Sequence, residues 1–117
     1  MWNDVGILRT AGGLKRALAD LDELDALLIE TGVVDGDRTF NLTWHDWLNL
    51  KSLIAVSRVI ATAALARADS RGAHFREDFP ARTELSASDY TITRERDHIL
   101  MLTRTPVRFT RVTPAPP

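Results

Sequence analysis

Cysteine is absent from this 117-residue chain. Disulfides, thiolate catalysis and zinc–thiolate sites are therefore excluded, and the composition fits a reducing compartment. Lysine is nearly absent: Lys15 and Lys51 are alone, and every other base is arginine, which favours fixed, forked ion pairs over loose solvation. There is no excess of positive charge, the formal net charge being -1, so a general nucleic-acid binder is not expected. Glycine-rich phosphate cradles are missing, with neither a GxGxxG stretch nor a Walker loop. No segment approaches the roughly 18 consecutive apolar residues of a membrane span. The opening "MWNDVGILRTAGG", with its early Asp4, does not have the apolar run of a secretory leader. These absences leave one soluble domain, expected in the cytoplasm, without a membrane span and without internal repeats.

What is present is mostly helical pattern. Leu14, Leu18, Leu21, Leu24 and Leu28 recur at spacings of three and four, which predicts an amphipathic helix over roughly residues 11 to 31. Thr10 is placed to cap its start and Gly32 its end, while Asp20, Asp22, Glu23 and Asp25 cover its outer face. In front of it, Trp2, Val5 and Leu8 could share one face of a short helical stub. Residues 33 to 42 form a loop with an Asp35-Gly36 turn signal. Thr43 opens a capping-box-like "TWHD", and a second helix is predicted over roughly 44 to 69. Its apolar residues, among them Trp44, Trp47, Leu50, Leu53, Val56 and Ile60, are too many for one stripe. A helix apolar on most sides is usually buried on most sides, and one other long helix does not cover it. A partner is missing. Further on, "DYTITR" and "HILMLTR" read as two strands, and "PVRFTRV", opened by Pro106, as a possible third. The last residues, 113 to 117, form a proline-rich extended tail. The fold expected is mainly α: an antiparallel bundle of two long helices plus the stub (with the motif loop, residues 1 to 82), then short strands over 83 to 112 making a small hairpin or meander.

The densest cluster of ionisable groups is "ADSRGAHFREDFPAR", residues 68 to 82. Gly72 permits a chain reversal. Arg71 and Arg76 can each fork onto a carboxylate or a run of carbonyls. Asp78 can accept from backbone N–H groups or from one of those arginines, and Pro80 prevents a return to helix. The simplest reading is a polar latch that fixes this loop to a neighbouring surface. The alternatives are ligand contact across an interface and acid–base chemistry at His74, whose ordinary pKa lies near neutrality. His45, His74 and His98 lack a second ligand at metal spacing, and no metal site is expected. Ser52 and Ser57 lack a nucleophile elbow. Gly12-Gly13 belongs to a helix start, and the three tryptophans, Trp2, Trp44 and Trp47, to core or interface.

At this motif the chain resembles a known family. "SRGAHFREDFP", with the preceding "NLTWHDWLNLKSLIAVSRVIATAALARAD", is similar to the C-terminal helical domain of succinate dehydrogenase and fumarate reductase flavoproteins, a group that includes L-aspartate oxidase. Met1, Gly6 and Arg9 match a segment that precedes the long helix in that family, and "TPVRFTRVTP" resembles its last strand and tail. The resemblance implies that FAD and the dicarboxylate substrate are held by other domains. It implies no catalytic residue, metal ligand or cofactor contact in this chain, whose first helix would continue a longer one. It implies a structural domain that packs on the flavin domain, in cis or in trans, with Ser70, Arg71, Gly72, His74, Arg76 and Asp78 as a docking motif. In isolation such a domain would be inactive and prone to self-association. The rival reading is a freestanding helical module that binds another protein through the apolar face of the second helix.

Overall fold

The computed structural model describes residues 1–97 and 99–114. His98 and the end of the tail, 115–117, lie outside the described residues, and with them the expectations made for His98 and for that part of the tail. A four-residue helix α1 (Trp2–Val5) leads into a two-residue strand β1 (Leu8–Arg9), then the long helices α2 (Ala11–Thr31) and α3 (Leu42–Ala66). Strand β2 (Phe75–Arg76), a 3-10 turn (Leu85–Ala87) and the hairpin β3 (Asp89–Arg96) and β4 (Ile99–Pro106) complete it.

Helix α2 starts where the sequence places it. The Thr10 hydroxyl accepts from the Gly13 N–H at 3.1 Å. At the other end Gly32 sits at φ 60 and its N–H closes on the Leu28 carbonyl. Helix α3 does not start at Thr43. Asn41 is the cap, its Oδ1 accepting from the Trp44 N–H at 2.8 Å, and the helix ends at Ala66 rather than 69. Leu8 is the other departure: it lies in β1, paired with Phe75, rather than on a helical stub.

The two long helices pack through small residues. Leu14 and Ala61 are fully buried, and with Val5, Ala17 and Ala64 they form the core, flanked by Leu18 and Leu65. Ala17, Ala61 and Ala64 lie at the contact, and the fully buried Leu14 contributes roughly 1.5–3 kcal/mol by leaving water. Trp47 reaches across and donates its Nε1–H to the Leu28 carbonyl at 2.9 Å. Arg58 spans to Asp22 and Asp25 at 2.8 and 3.4 Å. These exposed pairs set register more than stability.

The hairpin pairs β3 with β4 antiparallel, from Asp89 opposite Pro106 to Arg96 opposite Ile99. Pro106 closes β4 rather than opening a third strand; residues 107–112 form none. Thr91, Thr93, Leu100 and Leu102, half-buried, line one face of the hairpin.

The molecule is elongated, 61 × 32 × 25 Å, with a radius of gyration of 18.3 Å. A compact chain of this size would have about 13 Å. The consequence is exposure. Leu53 is 61 % exposed, Val56 57 % and Ile60 44 %. By length and composition α3 could even cross a membrane, which a search for unbroken apolar runs does not anticipate. Core helices of soluble proteins pass the same test, and Arg58 pins the middle of α3 to two carboxylates of α2.

Candidate functional site

The charged loop is built around one buried cation. Arg76 is 1 % exposed, and desolvating a guanidinium demands full compensation. It receives it from two sides. Nη1 donates to the carbonyls of Ala64, Leu65 and Arg67 at 3.1, 3.2 and 2.9 Å, the orphan acceptors at the C-terminus of α3. Nε and Nη2 fork onto the two oxygens of Asp78, each at 2.7 Å. Asp78 in turn accepts from the Ala11 N–H at 2.9 Å, in the first turn of α2. A cation thus closes the C-terminus of one helix and its carboxylate partner closes the N-terminus of the other. Both placements match the helix dipoles. The Arg76 guanidinium beside it holds the Asp78 carboxyl well below the usual carboxylate range.

Ser70 is the hub of the loop. It is buried, its hydroxyl donates to the Phe79 carbonyl at 2.8 Å and accepts from the Arg76 N–H at 2.9 Å. Gly72 sits at φ 58, the left-handed region, so that Arg71 and His74 can exchange backbone hydrogen bonds across it. Arg71 reaches the other way. Its guanidinium donates to the Thr83 carbonyl and hydroxyl at 2.9 and 3.0 Å and to the Ser88 hydroxyl, tying down the connection to the hairpin. Arg67 forks onto Asp69 at 3.1 Å, and that hydrogen bond is the main reason the Asp69 carboxyl is also pulled down. Arg67, Asp69, Arg71, Thr83, Ser88 and Arg104 surround a polar cavity of about 130 Å³.

His74 Nδ1 lies 2.8 Å from Arg9 Nη1. Arginine has no acceptor, so Nδ1 must accept and the imidazole is neutral, with its proton on Nε2. Burial first, and the nearby Arg9 and Arg67 charges next, hold the His74 pKa below its ordinary value. Arg9 also donates from Nε to the Gly6 carbonyl at 2.7 Å, and its own carbonyl accepts from the Glu77 N–H at 2.9 Å. This is the parallel pair β1–β2, Leu8 with Phe75 and Arg9 with Arg76.

The structure thus brings Ser70, Arg71, Gly72, His74, Arg76 and Asp78 into one network. Both capacities expected of Arg76 and Asp78, forking and backbone capping, are used at once. Three participants carry no local signal in the sequence: the backbone of Ala11, the Thr83–Ser88 segment that receives Arg71, and Arg104, which donates to the Ala66 carbonyl. Arg9 stood in a recognisable segment, but without a role. Among the described residues no group of His, Asp and Glu could hold a metal ion. His45 is exposed, its ring against Trp44 with centroids 5.6 Å apart. Trp2 is 87 % and Trp44 50 % exposed, so neither is core in this chain.

Comparison with known proteins gives this geometry a family. A family model described as fumarate reductase flavoprotein C-term matches residues 1–117. An FAD-dependent oxidoreductase of Methanocaldococcus jannaschii is 36% identical over 87 residues, 72% of this chain and 15% of that protein. The fumarate reductase flavoprotein subunit of Mycobacterium tuberculosis is 34% identical over 110 residues, 93% of this chain and 19% of that protein. The solved structure of Escherichia coli quinol fumarate reductase superposes with a TM-score of 0.88 at 28% identity, over 98% of this chain and 20% of that one. The chain therefore spans a fifth or less of the length of these relatives. The family indicated by the Ser-Arg-Gly-Ala-His stretch is the family found: this chain belongs to the C-terminal domains of the succinate dehydrogenase and fumarate reductase flavoproteins.

Proposed function

We propose that this domain is the structural support of an FAD-dependent oxidoreductase of the succinate/fumarate type, docking on the flavin domain and performing no turnover alone. The observation that carries this is the exposed stripe of Leu53, Val56 and Ile60 on α3, in a chain too elongated to cover it. Contiguous apolar surface of this kind marks an interface. The chain belongs to a flavoprotein family yet spans a fifth or less of its relatives, so the cover is assigned to the rest of such a flavoprotein. The same assignment accounts for an apolar α3 without a membrane.

The described residues do not suit FAD. Strand β1 runs straight into α2, but the Ala11 and Gly13 N–H groups at that helix start are already taken by Asp78 and the Thr10 hydroxyl, which leaves no phosphate cradle there. The cavity at the motif, about 130 Å³, is below the roughly 300–1,000 Å³ of ligand pockets. A wider hollow of about 610 Å³ lies at the loop between the long helices, but its charged lining is mixed, Asp35 and Asp37 beside Arg38, and is not the cationic cradle a pyrophosphate needs. FAD is therefore assigned to the remainder of the enzyme, where it would supply hydride chemistry on a dicarboxylate, and the proposal places no step of that reaction on this chain.

Within the proposal the motif serves docking by building the edge that docks. Arg76 and Ser70 are buried, and with Asp78 at their edge they fasten both helix ends. Gly72, Ala73, Phe75 and Phe79 are left exposed on the outer side, with Arg71 and His74 half-buried beside them. The cysteine-free composition supports a reducing compartment, and the cytoplasm is proposed.

The test is an immunoprecipitation from the source cells with an antibody to this chain. The expected result is flavin in the captured material, and a band several times larger than 13.1 kDa or a second, flavin-bearing polypeptide. A flavin-free band at the size of the chain would overturn the proposal and favour the freestanding interaction module. In the intact enzyme, Arg71→Ala and Asp78→Ala are expected to speed flavin loss. Unchanged retention, stability and turnover would remove the docking role of the motif.

A further inference from the structure

Two cations at the open end of the hairpin have no counter-charge. The cavity of about 130 Å³ beside the motif is lined by three arginines, Arg67, Arg71 and Arg104, and by two carboxylates, Asp69 and Asp89. Arg67 is matched by its fork onto Asp69. Arg71 meets only neutral acceptors: the Ser88 hydroxyl, the Thr83 carbonyl and hydroxyl, and the Glu84 carbonyl. Its Nε is buried without an acceptor. Arg104 donates to the Ala66 carbonyl, which is neutral as well. Among the described residues neither Arg71 nor Arg104 forms an ion pair, although the exposed Asp89 lies at the same cavity. The lining thus carries three positive charges against two negative ones. A half-buried guanidinium is stable only where its lost hydration is replaced, and here one negative charge is wanting.

We propose that this cavity binds a small monovalent oxyanion, a carboxylate or phosphate group held between Arg67, Arg71 and Arg104. The site offers donors and few acceptors. The Thr83 hydroxyl already donates to Asp69 and the Ser88 hydroxyl to the Leu85 carbonyl, so neither has a proton left for a ligand. The free hydrogens belong to the guanidinium groups, each with five N–H. An occupant must therefore accept. The negative end of α3 does not oppose it, since Arg76 and Arg104 already take the carbonyls of Ala64, Leu65, Ala66 and Arg67. Size limits the ligand: about 130 Å³ holds roughly four groups of the size of water, at about 30 Å³ each. Forked N–H groups match the paired oxygens of such ions. The bound ion would join the end of α3, the motif and β4, and so fasten the hairpin to the helix pair. This site does not depend on the flavin assignment.

The test is amide hydrogen exchange on the full protein at neutral pH, with phosphate, acetate or chloride as the added anion at equal ionic strength. Chloride is the baseline. The expected result is about tenfold slower exchange over residues 83–91 and β4 when the oxyanion stands at about ten times its dissociation constant, with α2 unchanged. Arg104→Gln removes the charge and keeps an N–H donor for the Ala66 carbonyl, and the response should be lost. Thr91 stands opposite Arg104 in the hairpin, so Thr91→Asp supplies the charge from within the chain. That variant should be protected in chloride alone, and Thr91→Asn should not. A response to phosphate only, or to acetate only, supports the site and tells which class of group it takes. Equal exchange in the three salts overturns the site and leaves a cavity of water. A response that survives in Arg104→Gln overturns it too, as does equal exchange of Thr91→Asp and Thr91→Asn in chloride.

Discussion

Arg76 and Asp78 face each other through two parallel hydrogen bonds of 2.7 Å, one at each end of a fork. Through them the last turn of α3 is tied to the first turn of α2. The pair is asymmetric: the Arg76 side chain is 1 % exposed and that of Asp78 31 %. Arg76→Ala empties a buried site and leaves the Ala64, Leu65 and Arg67 carbonyls without their donor, so removing the cation is the more costly change. Arg76→Ala is expected to lower stability by roughly 3 kcal/mol, the lower end for breaking a buried pair, because Asp78 keeps water. Arg76→Lys recovers only part, since an ammonium cannot fork onto Asp78 and also cap three carbonyls. Asp78→Asn should destabilise less than Arg76→Ala. Urea titration of the three variants checks the order.

Acid should weaken the fold in two separated stages. His74 is neutral in the folded chain and its pKa is depressed by burial and by Arg9. A depressed folded value means that the unfolded chain binds the proton first, so this contribution is full above about pH 6.5 and is lost as pH falls through the folded value. Asp78 and Asp69 are depressed by Arg76 and Arg67. Their contribution is full above about pH 4 and is lost below it. His74→Gln supplies an amide oxygen that accepts from Arg9 without titrating. The upper stage should vanish in that variant and the lower one persist. A single acid transition in the wild type, below about pH 4, would contradict the neutral His74.

The start of α3 distinguishes two caps. Asn41→Ala removes the Trp44 cap bond and leaves the Asp35 and Asp37 carbonyls without their donor. A loss of about 2 kcal/mol is expected, the upper end for a cap. Thr43→Ala, at the position the capping-box pattern singles out, lies inside the helix and should change stability by less than about 0.5 kcal/mol. Thermal melts of the two variants decide.

The uncovered face of α3 is expected to make the chain by itself adhesive. Leu53, Val56 and Ile60 present apolar surface to water, and self-association at rising concentration is expected, read by sedimentation. Leu53→Glu with Ile60→Lys should shift the chain towards monomer and leave helix content unchanged. Equal association in the double variant would place the adhesive surface elsewhere, the Phe40 loop first.

The sequence by itself determined the helical hairpin. The bounds of α2 follow from leucine spacing, Thr10 and Gly32, because caps and periodicity act within a turn or two of the chain. The excess of apolar residues on α3 already pointed to a missing partner, and the ionisable loop with Gly72 to a latch as its simplest reading. Tertiary structure decided the rest. Asn41, and not Thr43, caps α3 because its side chain also gathers two carbonyls from a loop whose path no local rule supplies. Pro106 ends a strand rather than opening one because its partner in the hairpin is Asp89, the first residue of β3. The pair β1–β2 is two residues on each side, and it sets Arg9 beside His74 across 65 positions. Contacts of that range depend on where the packed helices leave their ends, and on which orphan N–H and carbonyl groups remain there for Arg76 and Asp78 to satisfy.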